Sequence, residues 1–287
     1  MTEHKLFAQR IGLIGITYVL TTLMRIVLVP ILTKSMPVED YGTWVQVIAT
    51  SALIPPIVSL GLPFALVRFL ASENDKKKLQ EGFYSAFFIV LAASGLVSLL
   101  FLIFSNPLAK ILFDSNVKVA MVVPAILFIE SLILVPMNLF RVLQKIKMHS
   151  FFLIFDMLLT VSFASYFIFQ GQGIVGAVVG LLISKILVFI GMMSFVFKEV
   201  SFGFPKFINL RAYFNFGLPL LPSNFSSWII NSSDRYVITI FLGTAFVGYY
   251  APGYTLGSLI LTFAAPLSFL LPPVLSKYYD EKKLNEF

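Results

Sequence analysis

Six charged residues stand inside otherwise apolar runs of this 287-residue sequence: Arg25, Glu130, Asp156, Lys185, Asp234 and Arg235. A charge at the centre of a lipid-length helix costs about 2.5 to 3.5 kcal/mol on insertion scales, so each one calls for a partner or a water-filled cavity. Glu130 and Lys185 fall near the middle of their runs and could neutralise each other, whereas Asp156 lies a turn and a half into its run and reads as structural or interfacial. Asp234 has Arg235 beside it, near the end of a run where snorkelling is cheap. Arg25 has no carboxylate within a turn of its own helix. A guanidinium held in a low-dielectric cavity is suited to bidentate capture of phosphate. With Lys185 and Arg235 adding positive charge, the expectation is a cationic cavity for an anionic, phosphate-bearing substrate, with Glu130, Asp156 and Asp234 as candidates for ion coupling.

Helical periodicity groups polar residues with these charges. Tyr18, Thr21, Thr22 and Arg25 share one helix face. Asn224, Ser227, Asn231 and Asp234 step by three, four and three, with Arg235 alongside, while Trp228, Ile229 and Ile230 mostly take other directions. Asn224 and Asn231 therefore join the substrate-binding candidates. The two histidines, His4 and His149, lie at the ends of runs, and there is no HExxH, GxSxG or Walker loop and no cysteine. Neither a metal, a cofactor nor a catalytic nucleophile is expected. Gly171-Gln-Gly173-Ile-Val-Gly176 matches GxGxxG but joins two lipid-length runs, so it reads as a tight turn followed by a small-residue stripe, Gly176, Gly180 and Ser184, for close helix packing. Asn224-Phe-Ser and Asn231-Ser-Ser match the glycosylation pattern inside a span and read as accidental.

The elements that position these residues follow from composition. Hydrophobic residues make up 58% of the chain and charged ones 12%, against roughly 25% charged in globular proteins, so the solvent for most of the surface is lipid. Eight runs reach the ~20 residues that a spanning helix needs. They cover 11–33, 44–67, 83–105, 119–140, 151–169, 173–197, 213–242 and 246–275. Their continuous apolarity argues against a β-barrel, and the first run is too long for a signal peptide. Lys5, Arg10, Arg68, Lys76 to Lys78, Arg141, Lys145, Lys147, Lys198, Lys206, Arg211, Lys277, Lys282 and Lys283 fall on one side, against Lys34, Lys110 and Lys118 on the other. The positive-inside rule then puts both termini in the cytoplasm. The net charge of +7 belongs to these short loops, and nucleic acid is not an expected partner.

A weak internal repeat runs through the chain. Arg25 is followed by an Asp40-Tyr-Gly42 turn and a proline-containing span; Arg235 is followed by Val247-Gly248-Tyr249 and a span with Pro266, Pro272 and Pro273. The fold expected is thus an all-α polytopic membrane protein with about eight transmembrane helices. Residues 1–210 would form a six-helix lobe, and residues 211–287 the first hairpin of a second, parallel-repeat lobe.

Arg25 with Pro30, the Glu39-Asp-Tyr-Gly42 turn, the stretch from Phe216 to Tyr236 and the Val247-Gly-Tyr-Tyr250 sequence resemble the polysaccharide flippases of the multidrug, oligosaccharidyl-lipid and polysaccharide exporter superfamily. The resemblance implies a multi-pass protein of the cytoplasmic membrane that moves a lipid-linked glycan outward by alternating access. It implies a positively charged central cavity for the pyrophosphate-sugar headgroup, with Arg25 matching the arginine of the first helix. Members have twelve to fourteen spans, and this chain stops after the eighth. Membrane lipid and other polysaccharide-assembly proteins are the expected partners. The alternatives are a multidrug or small-molecule exporter of the same fold, a noncatalytic membrane partner of a glycan-assembly complex, and a membrane glycosyltransferase. The last needs a large carboxylate-bearing loop, and the loops here are short.

Overall fold

Apolar runs with few charges fold as helices in lipid because every backbone N–H and C=O must be satisfied within the segment. The computed structural model describes residues 3–258 except 72 and 74, and within them all regular structure is helical. The order is α1 (Glu3–Ser35), α2 (Val38–Val58), α3 (Leu62–Leu70), α4 (Lys76–Ile103), α5 (Ser105–Leu112), α6 (Val117–Val142), α7 (Ile146–Phe169) and α8 (Gly173–Val200). It continues with α9 (Leu210–Gly217), a 3-10 turn (Leu218–Leu220), α10 (Leu221–Leu242) and α11 (Thr244–Gly257). Six of these described helices are long and apolar enough to cross a membrane: α1 from Gly12, α2, α4, α6, α7 and α8. The seventh expected run is realised as α9, the 3-10 turn and α10, a stretch more polar than the others. The eighth begins as α11, and its remainder, with Pro266, Pro272 and Pro273, lies outside the described residues.

Two expectations need correction. The second run is not one helix, because Leu60 and Gly61 both take positive φ and break it into α2 and α3. The segment expected as a turn at Asp40–Gly42 is the first turn of α2, while Val247–Tyr249 lies in α11, within the eighth expected run. Pro37 precedes α2 with no backbone N–H to satisfy, and Glu39 and Asp40 sit in its first turn, where the helix dipole favours carboxylates.

Helix α6 lies at the centre, packed by α2, α3, α4 and α8, while α1 and α8 cover α7. In lipid such contacts depend on close van der Waals approach rather than on exclusion of water. Gly180 supplies one: a Cβ there would lie 2.8 Å from the Phe163 carbonyl of α7. The α7–α8 turn uses Gly171 and Gly173 at φ +77° and +58°, as the GxGxxG reading requires.

Helices α9 to α11 pack on α2 and α3 through two glycine crossings. Gly42 of α2 presses on the Thr244 carbonyl of α11, while Gly248 of α11 presses on the Val38 carbonyl of α2. The contact is reciprocal: in each helix the glycine sits four residues after the carbonyl that receives its counterpart. At the other end of α2, Gly61 and Gly217 meet backbone to backbone, each within a Gly-Leu-Pro sequence. A side chain at Gly42 has nowhere to go, so Gly42→Leu should part α2 from α11 at a cost of about 1 to 3 kcal/mol, with Gly253→Ala of α11 as a neutral control because its Cβ meets open space. Thermal melting in detergent checks this, and an unchanged midpoint for Gly42→Leu would refute it.

The segment between α8 and α9 is held by the start of α4. Gln80 donates from Nε2 to the carbonyls of Val200 and Phe202 at 3.0 and 2.7 Å, and Tyr84 donates to the Ser201 carbonyl at 2.9 Å. Ser85 Oγ accepts from the Phe207 N–H, and Glu81 Oε1 from the Ile208 N–H, both at 3.1 Å. At this same end of the bundle Arg10 donates to Gln144 at 3.1 Å and Lys145 pairs with Glu199 at 2.5 Å. The basic flanks of α1, α6, α7 and α8 therefore share one end, as the charge pattern requires.

Candidate functional site

A cavity of about 560 Å³ opens between the helices, bounded by α1, α2, α6, α7, α8, α10 and α11. Arg25, Glu130, Asp156, Lys185, Asn231 and Arg235 all line it. One α-helical period brings Arg25 onto the same side of α1 as Leu28, Val29 and Leu32, which also face the cavity. Arg25 is exposed to this space and has no hydrogen bond or ion pair with any described residue.

Lys185 is placed differently from a free substrate cation. Its Nζ lies 2.8 Å from Asp156 Oδ2 and 3.2 Å from Glu130 Oε1, joining α8 to α7 and α6. The three side chains are mostly buried, between 14% and 28% exposed. Asp156 lies deeper than the sequence suggested, because α7 begins at Ile146, more than a turn ahead of Phe151 where the apolar run starts. Two carboxyl groups share one ammonium, and Asp156 Oδ1 is buried without a partner among the described residues. Next to them Thr160 and Ser184 share a hydrogen bond of 3.0 Å between α7 and α8.

Arg235 is held rather than free. It donates from Nη1 to the Asn231 carbonyl at 2.6 Å and to Asp234 Oδ1 at 3.3 Å, and its guanidinium stands 4.3 Å from the centre of the Tyr254 ring. Asp234 turns from the cavity toward α11, accepting from Tyr250 Oη at 2.5 Å. Its contact with a residue of the cavity wall is the one with Arg235. Asn231 lines the cavity with its Nδ2 donating to the Ser227 carbonyl, and Asn224 lies in a second, smaller hollow that adjoins it. On α1, Tyr18 and Thr21 are not among the lining residues, so only the Arg25 end of that stripe meets the cavity.

Sequence reasoning set Trp228 aside as facing elsewhere, and the structure corrects this. Trp228 Nε1 donates to the Ala49 carbonyl of α2 at 3.1 Å, and its ring meets Tyr236 edge-on, with centroids 5.2 Å apart. Tyr236 in turn shares a 2.7 Å hydrogen bond with Thr50. The inward face of α10 is therefore Asn224, Ser227, Trp228, Asn231, Ser232 and Arg235. The spacing from Trp228 to Arg235 is two helical turns, so the signal was present and was overruled by residue polarity.

The sequence matches the polysaccharide biosynthesis protein family over residues 7–279. The chain belongs to that family. No curated protein sequence matches it. Among solved structures it is similar to the MATE multidrug transporter DinF-BH, with 14% identity, a TM-score of 0.76, and coverage of 99% of this chain and 68% of that one. It also resembles an outward-facing multidrug resistance MATE transporter of the MOP superfamily, with 18% identity, a TM-score of 0.61, and coverage of 96% and 66%. A third is a MOP superfamily transporter from Pyrococcus furiosus, described as having a binding pocket of reverse polarity, with 15% identity, a TM-score of 0.58, and coverage of 90% and 64%. These likenesses are of fold. The family member described here is thus a multi-pass membrane protein with a MATE-like transporter fold, and it spans about two thirds of the length of those transporters.

Proposed function

We propose that the protein flips a polyprenyl-linked oligosaccharide across the cytoplasmic membrane by alternating access of the central cavity. The observation that carries this reading is Arg25, an arginine without a counter-charge among the described residues, facing a cavity in a member of a polysaccharide biosynthesis family. Such a group gains most from a bidentate, multiply charged ligand such as a diphosphate. Arg235 adds a second, partly neutralised cation at another wall, and Asn231 a neutral polar contact. Lys185 serves in this reading as the ammonium that holds Glu130 and Asp156. The excess of one carboxyl group over the ammonium makes Glu130 and Asp156 the sites where a driving proton or cation would bind, with Asp234 partly offsetting the charge of Arg235.

In this reading eight spans place both termini in the cytoplasm, α9 to α10 forming the seventh and α11 opening the eighth. Residues 1–210 are the first lobe and residues 211–287 the start of its parallel repeat. The reciprocal Gly42 and Gly248 contact supports the repeat, since a twofold axis along the membrane normal would produce it. The test is the sidedness of lipid-linked glycan in cells lacking the gene, with and without re-expression. Finished glycan-lipid should accumulate on the cytoplasmic face; loss of the glycan-lipid itself would indicate synthesis, and no change would refute flipping.

A second reading, export of small lipophilic cations, is favoured by the same excess of carboxyl groups over ammonium. Efflux of a cationic dye that depends on Glu130 and Asp156, and not on Arg25, would establish it.

A further inference from the structure

The smaller hollow beside the charged cavity has a different chemistry. Its volume is about 310 Å³, at the lower end of the range for small-molecule sites, and no charged side chain lines it among the described residues. It lies between the second half of α2, the start of α3, α6 and α10, and Ala52, Asn231 and Ser232 border both spaces. The lining thus runs along α2 from Tyr41 to Pro56, about 22 Å of helix at 1.5 Å per residue, with charges in the first part and none in the second.

Asn138, Asn224, Ser59 and Ser232 bring amides and hydroxyls to this second part, and Trp228 brings an indole. Asn138 is spoken for, donating to the Leu134 carbonyl and accepting from Arg141. Ser59 donates to the Pro56 carbonyl. Asn224 is different: its Nδ2 is buried with no hydrogen-bond partner among the described residues. An amide left in that state loses its water without replacement, a cost that turning the side chain toward a ligand acceptor in the hollow would remove. Trp228 is fixed by its contacts with Ala49 and Tyr236, so its ring is a rigid wall.

Neutral amides and hydroxyls that both donate and accept, beside an indole, match the groups of a pyranose: hydroxyls around the rim and C–H faces above and below. We infer that this hollow is a sugar subsite, occupied by the first glycosyl unit of a lipid-linked substrate whose diphosphate lies at Arg25. The inference rests on the flippase reading and adds to it the placement of the uncharged part of the headgroup. Asn224 is the principal contact, and Ser232, at the junction of the two spaces, is the second. Trp228 sets the shape of the pocket.

The test is equilibrium binding to the full chain in lipid nanodiscs, using a polyprenyl diphosphate with no sugar and the same lipid carrying one N-acetylhexosamine. The parent protein should bind the glycosylated lipid about tenfold or more tightly than the bare one. Asn224→Ala should remove most of that difference while leaving the bare lipid's affinity unchanged, and Ser232→Ala should do so in part. Arg25→Ala should weaken both lipids alike. Equal binding of the two lipids by the parent would overturn the sugar subsite and leave the diphosphate reading intact. Equal weakening of both lipids by Asn224→Ala and Ser232→Ala would also overturn it, by showing a structural role. Failure of the parent to bind either lipid would overturn the flippase reading and this one with it.

Discussion

Arg25→Ala should cut the appearance of lipid-linked glycan at the outer face by about a hundredfold or more, in cells that hold normal amounts of the protein. Hydrogen bonds to charged groups contribute about 1.5 to 3 kcal/mol each, and a bidentate diphosphate contact makes two of them. Each ~1.36 kcal/mol lost from the transport step is a factor of ten in rate. Because Arg25 pairs with no described residue, its removal strands no buried carboxylate, and the melting temperature should stay within a few degrees of the parent's. Arg25→Lys restores a point charge without the planar fork and should recover only part of the activity. Sidedness assays on the three proteins at matched expression decide the matter; full activity in Arg25→Ala would remove the diphosphate from this position.

Lys185→Ala should have the opposite profile, a loss of folded protein before any question of transport arises. It leaves Glu130 and Asp156 facing one shared, mostly buried space with no ammonium between them. Removing one partner of a buried ionic group costs about 3 to 5 kcal/mol. The residual exposure of these side chains puts the expectation near the lower figure. Replacing all three with neutral residues of similar shape, Lys185→Met with Glu130→Gln and Asp156→Asn, removes the cause and should bring back a folded protein. Thermal melting and membrane yield give the comparison. A triple variant no more stable than Lys185→Ala would show that the ion trio is not what holds α6, α7 and α8 at this level. The single changes Glu130→Gln and Asp156→Asn leave Lys185 one partner each, so they can be read for coupling. If one of the two residues carries the driving ion, its neutral form should transport at a rate that no longer responds to pH or to membrane potential.

The contrast between these arginine and lysine positions shows what the sequence could convey. Span length identified the six long apolar helices, since it is set by lipid thickness, which acts locally. That Arg25 has no local counter-charge was equally visible, because the test involves one helix. Lys185 was counted as a cation for substrate, while its neighbours come from two other helices whose rotation about their own axes no single-helix pattern fixes. The same limit explains Asp234, which shares a stripe with Asn231 yet turns to Tyr250 of α11. Trp228 was misplaced for another reason: it was set off the polar stripe, although its N–H needed a carbonyl and found Ala49. The break between α2 and α3 was legible in principle. Gly61-Leu-Pro63 repeats at Gly217-Leu-Pro219, and the two copies meet because each marks a place where backbones can touch.

The ties between α4 and the segment after α8 also bear on the order of assembly during synthesis. Gln80, Glu81, Tyr84 and Ser85 emerge from the ribosome 117 to 127 residues ahead of their partners. At about 5 to 20 residues per second that is a delay of roughly 6 to 25 s, during which the polar start of α4 stands open. Its partners arrive only when α8 is complete. The clasp can therefore close before α10 has left the translation machinery, and α2 would then meet α10 and α11 as an already seated surface.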